Sequence, residues 1–199
     1  MGRNPKPEGF YGWRGATSGG CGVWATAMCN RILGSTSPTR QVDETEWNGL
    51  ADALSLSASG GTTSAAEMAY YRARGWCVED KKFHGTAGDY AELSTRFQDD
   101  HCDVKFDYFR RVGDHYANGH VETVTGVSGT SATTNSWGHE AMITGGSDGH
   151  FRHSGDGVWM TEDDGSRLWP DDETDVWVTY VCECRLSRME RLAQLLFGD

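Results

Sequence analysis

An α+β fold, with N-terminal helices packed on a C-terminal antiparallel β-sheet, is predicted by a change of hydrophobic period halfway along the chain. Up to about residue 100 apolar side chains recur at helical spacing behind polar capping residues, and from Cys102 they alternate with polar ones. Gly and Ser pairs punctuate the alternating runs as turns. At 199 residues the chain fits a single domain, divided into an arm (1–16), a helical half (17–100), a sheet half (101–184) and a C-terminal helix (185–199).

The elements follow in order. Pro5, Pro7 and several glycines make the arm irregular, and Thr17 or Ser18 is available to cap a first helix that begins near Cys21. Val23, Trp24, Ala27, Met28, Ile32 and Leu33 form its apolar face, and Gly34 stops it. Asp43 with Glu46 resembles a capping box for a second helix carrying Trp47, Leu50, Ala51 and Leu54. Ser64 with Glu67 repeats the pattern for a third, which runs through Met68, Ala69 and Tyr71 to Gly75, and a fourth spans Asp89 to Gln98 with Tyr90, Leu93 and Phe97 inward. Strands are expected at Cys102 to Tyr108, His120 to Val127, Ser131 to Trp137, His139 to Thr144, Gly157 to Thr161 and Asp175 to Cys184. The tail from Ser187 through Met189, Leu192, Leu195 and Leu196 to Gly198 reads as a docking helix, whose apolar face offers a surface to an assembly partner.

Composition narrows the function. With 29 acidic against 18 basic residues, the net charge of -11 repels phosphate backbones and anionic lipid, so neither nucleic acid nor membrane insertion is expected. No apolar run has the length of a membrane span, and residues 1–7 lack the apolar core of a secretory signal, which points to a cytoplasmic or virion-associated protein. The six cysteines, at positions 21, 29, 77, 102, 182 and 184, show no zinc spacing and read as mostly reduced, with Cys182 and Cys184 as sheet packing; no metal or other cofactor is called for.

The chemistry centres on Cys21. The run Thr17-Ser18-Gly19-Gly20-Cys21-Gly22-Val23-Trp24-Ala25 puts a cysteine where a glycine-rich turn becomes a helix, and a helix start offers unpaired N–H groups and a positive dipole end that favour S⁻ over SH. The bland alternative is a small buried cysteine. A thiolate nucleophile needs a histidine to move its proton. His84, His101 and His115 lie in polar stretches, and His150 and His153 in the loop from Gly146 to Gly157. His120 and His139 each open a strand behind a glycine and are the candidates for the base. His139 would be oriented by Asp163, beyond the strand Val158-Trp159-Met160, and His120 by Asn135.

Cysteine at a helix start, a helical first half, then His and Asn or Asp on successive strands resembles the order of the papain-like cysteine peptidases, including bacterial and phage members. The segment Gly20-Cys21-Gly22-Val23-Trp24-Ala25 is similar to theirs, as is Gly60-Gly61-Thr62-Thr63 ahead of the helix ending Arg74-Gly75-Trp76. The likeness covers most of the chain loosely. It implies a papain-like fold and a thiol hydrolase that cleaves a peptide or isopeptide bond of a peptide or protein substrate, cell-wall peptides being one option. Cys21 would attack, His139 shuttle the proton and Asp163 orient it. The string Asn135-Ser136-Trp137-Gly138 fits the family order only with His120 as base, whereas the stronger buried strand after His139 favours that residue. The glutamine that the family places before its nucleophile to stabilise the oxyanion has no counterpart in Trp13-Arg14-Gly15-Ala16, leaving the Cys21 N–H and Ser18. Loss of one such donor costs about 3 kcal/mol of transition-state stabilisation. The alternative reading is therefore a weakly active or inactive papain-like structural or binding component of a larger assembly, such as a virion.

Overall fold

The computed structural model describes residues 20–34, 42–56, 61–112, 115–136, 139–145, 151–155 and 174–184. Helix α1 (Cys21–Leu33), α2 (Glu44–Ala53) and α3 (Ser64–Ala73) precede β1 (Trp76–Lys82), α4 (Ala87–Gln98) and strands β2 (Cys102–Val112), β3 (His115–Ser128), β4 (Ser131–Ser136), β5 (His139–Gly145), β6 (Phe151–Gly155) and β7 (Thr174–Glu183). The mixed architecture of helices and antiparallel sheet is as expected. The arm, the strand expected at 157–161 with Asp163, and the C-terminal helix lie outside the described residues.

All seven strands belong to one antiparallel sheet in the order β1-β7-β2-β3-β4-β5-β6. Strand β2 shows how it is covered. Val104, Phe106 and Tyr108 point to one face and pack with Phe83, Tyr90 and Leu93, the latter two from α4. The intervening Lys105 points to the other face, where its ammonium donates to the Tyr71 hydroxyl of α3. That second face carries the core of α1 to α3: Val23, Trp24, Ala27, Met28, Trp47, Leu50 and Tyr71, closed on the sheet side by Val121 and Val181. Helices thus lie on both faces, α1 to α3 on one and α4 on the other.

Local signals account for most boundaries. Asp43 caps α2 by accepting from the Glu46 N–H at 2.9 Å. The cap of α3 is Thr63, one residue earlier than the expected Ser64, and its hydroxyl accepts from Ala66 N–H at 3.2 Å. Helix α4 starts two residues before the expected Asp89, because Thr86 and Asp89 close a reciprocal capping box.

Three expectations are corrected. Strand β1 was not foreseen, because Glu79, Asp80, Lys81 and Lys82 interrupt any alternation; it is an edge strand, where charges discourage pairing with another chain. The expected loop around His153 contains β6, paired to β5, with Ile143 opposite His153. The cysteines are not mostly reduced. Cys77–Cys184 and Cys102–Cys182 form disulfides across β1, β7 and β2, while Cys21 and Cys29 are free. The partners of each bond are 107 and 80 residues apart in the sequence, and only the strand order brings them side by side. No helix among the described residues is long and apolar enough to cross a membrane.

Candidate active site

Cys21 is the first residue of α1 and is partly exposed. The preceding Gly20 has no side chain with which to cap the helix, whereas Asp43, Thr63 and Thr86 cap the other described helices. The first N–H groups of α1 have no partner within the helix, as at any helix start, and here no N-cap side chain takes them up. The expected caps Thr17 and Ser18 lie outside the described residues. Immediately after the cysteine the backbone is tightly enclosed: a Cβ at Gly22 would stand 1.9 Å from Thr62 Oγ1 and 2.2 Å from Glu67 Oε1. Thr62 donates to that same Glu67 oxygen at 2.6 Å, and Glu67 belongs to α3. Glycine is the residue that lets α3 brace the nucleophile end of α1.

His120 is the histidine that reaches Cys21. It lies on β3, the strand against which α1 makes its most extensive sheet contact, and it is near enough to Cys21 for the sulfur to raise the pKa of its imidazole. A register shift between Phe109 and Arg110 on the neighbouring strand bends the ladder beside it. Tyr108, directly opposite in the register, stacks on the imidazole with ring centroids 6.5 Å apart and planes at 21°.

Behind His120 stands a carboxylate that the sequence reading missed. Glu122 is 1% exposed, and its Oε1 lies 3.7 Å from His120 Nε2. Its other oxygen accepts from Tyr108 OH at 3.1 Å and from Thr134 Oγ1 at 2.6 Å. Two donors on Oε2 hold the group so that Oε1 faces the imidazole. Burial, and then Glu122 itself, push the Tyr108 phenol well above its ordinary value, which keeps it a donor. The signal for Glu122 was its place two residues after His120 on an alternating strand, which puts both on one face.

These charges set the state of the histidine. Burial favours neutral imidazole, but the Cys21 sulfur and the Glu122 carboxylate outweigh it, and the His120 pKa is pushed up to about 9. At neutral pH His120 is therefore an imidazolium beside Cys21.

The other candidates fall as follows. His139 opens β5, two strands beyond β3 in the sheet, in register with Ser136. Asp163 lies outside the described residues. Asn135 is fully buried on β4, in register with Thr123 of β3. His101 is exposed and pairs with Glu183 at 2.8 Å, far in sequence from the cysteine helix. Cys29, the second free thiol, is fully buried on α1, and burial followed by the Asp103 carboxylate raises its pKa well above the usual thiol range. Among the described residues, no group of His, Cys, Asp and Glu could hold a metal ion.

A partly exposed thiol at a helix start with a glycine N-cap, near a charged imidazole that a buried carboxylate faces, has the components of nucleophilic catalysis: an attacking sulfur, a proton carrier and an orienting group. No protein-family model matches this sequence, and no curated protein matches it.

Proposed function

We propose that the protein is a thiol hydrolase of the cysteine-peptidase type, acting on a peptide or isopeptide bond. The observation that carries this reading is His120, with the buried Glu122 behind it, close to Cys21 at a helix start whose N-cap is glycine. In the proposed reaction the Cys21 sulfur attacks the carbonyl carbon, and the carbonyl oxygen becomes an oxyanion. The N–H groups that open α1 are the donors suited to stabilise it. His120, already protonated, gives its proton to the leaving amine as the C–N bond breaks, and an acyl-enzyme remains. The neutral imidazole then takes a proton from water as its oxygen adds to the thioester carbon; the C–S bond breaks, the carboxylic acid leaves, and Cys21 is freed beside His120, which keeps that proton as at the start. Glu122 orients the ring and stabilises its charged form. His120 thus takes the role that the family resemblance had given to His139, and Glu122 the role of the third residue.

The test begins without a substrate. Iodoacetamide is expected to alkylate Cys21 at neutral pH and to leave buried Cys29 unmodified in the folded protein, read by peptide mapping. His120→Ala is expected to slow that labelling, and Cys21→Ala to abolish turnover of a peptide library that includes cell-wall stem peptides. His139→Ala decides between the two bases: retained turnover assigns the base to His120, and lost turnover assigns it to His139. Equal labelling of Cys21 and Cys29 would overturn the hydrolase reading.

A further inference from the structure

The two disulfides differ in their surroundings although they are neighbours on one sheet. Cys182 of β7 stands in register with Cys77 of β1 on one side and with Cys102 of β2 on the other. Cys184 lies two residues further on, just past the end of β7. The bonds made are Cys77–Cys184 and Cys102–Cys182. Cys102 is 2% exposed and Cys182 half-buried, so the inner bond is the more shielded of the two. Cys77 and Cys184 are both exposed, at the edge strand and at the end of the described part of β7.

Exchange requires a thiolate to approach a disulfide sulfur, so access separates the two bonds. We propose that Cys77–Cys184 is a redox latch, opened by an external dithiol while Cys102–Cys182 persists, and that its opening releases β1 and α3. A dithiol thiolate attacks one exposed sulfur, a mixed disulfide forms, and the reagent's second thiol closes on the first. Cys77 and Cys184 leave as thiols, and the reagent leaves as its cyclic disulfide, so two electrons and two protons pass to the protein.

The mechanical link is short. Cys77 is the second residue of β1, and α3 packs on β1 and joins it through the turn at Gly75, where φ is +76°. At the other end of this unit Glu67 of α3 braces Gly22, the residue after Cys21. Strand β1 has β7 as its only sheet neighbour, so the outer disulfide is its one covalent tie across the sheet among the described residues.

The experiment uses the whole protein equilibrated with graded dithiothreitol, trapped with N-ethylmaleimide and mapped by mass spectrometry. Cys77 and Cys184 are expected to be trapped at a dithiothreitol concentration at least tenfold below that needed for Cys102 and Cys182. At that intermediate point, amide hydrogen exchange in β1 and α3 is expected to rise at least tenfold, while that of α4 and β3 stays unchanged. The double variant Cys77→Ser/Cys184→Ser should show the same exchange without reductant. Opening of both bonds together, or unchanged exchange in β1 and α3, would overturn the latch. Neither result bears on Cys21, whose alkylation by iodoacetamide tests the hydrolase reading separately.

Discussion

Glu122 gives the sharpest residue-level prediction, because it is buried and its two oxygens have different tasks. Replacement by Gln keeps the size but removes the charge facing His120. A hydrogen bond or contact to a charged partner is worth roughly 1.5–3 kcal/mol, so kcat/KM is expected to fall about 10- to 100-fold. The pH profile separates this from a structural effect. Folding raises the His120 pKa from its ordinary 6.5 to about 9, so its contribution to stability is fully present below about pH 6.5 and is lost as pH rises through about 9. The imidazolium beside Cys21 is lost over the same upper range, and the rate of Cys21 alkylation is expected to change there. In Glu122→Gln that transition should move to lower pH, since one of the charges that raise the pKa is gone. An unmoved transition would show that Glu122 does not act on the ring.

At the scale of elements, the active cysteine depends on how α1 meets α3. Gly22→Ala inserts a methyl group where Thr62 and Glu67 already stand, at 1.9 and 2.2 Å from the ideal Cβ position. Overpacking of this kind costs about 1–3 kcal/mol, and urea unfolding should report it as a lower midpoint with an unchanged slope. The same substitution should slow Cys21 labelling, because the start of α1 must shift. Helix α4 offers a contrasting case on the far face of the sheet. Thr86→Ala opens the capping box with Asp89 and is expected to cost about 1 kcal/mol without altering Cys21 labelling. The elements that periodicity made readable were those with one apolar face and a clear cap, such as α2 behind Asp43. Strand β1 escaped because its charged half has no alternation to read, and its strand conformation comes from pairing with β7.

For the molecule as a whole, the inner disulfide joins residues separated by 80 positions and ties β2, the neighbour of the His120 strand, to β7. Cys102→Ser/Cys182→Ser is expected to lose about 2–5 kcal/mol of stability, most simply by freeing the unfolded chain, and calorimetry should show the lower Tm. The sheet also explains which part of the site was legible. The amino-acid order by itself determined that Cys21 opens a helix and that a helical half precedes an alternating half, because period, caps and turns are local properties of neighbouring residues; it placed His120 at a strand start, whereas β3 begins at His115. It favoured His139 over His120, which shares the same glycine-led pattern, and it neither found Glu122 nor paired the cysteines. Tertiary structure placed His120 near Cys21 and paired the cysteines, since those neighbours are set by strand order and by the seating of α1 on β3 rather than by nearness in the chain.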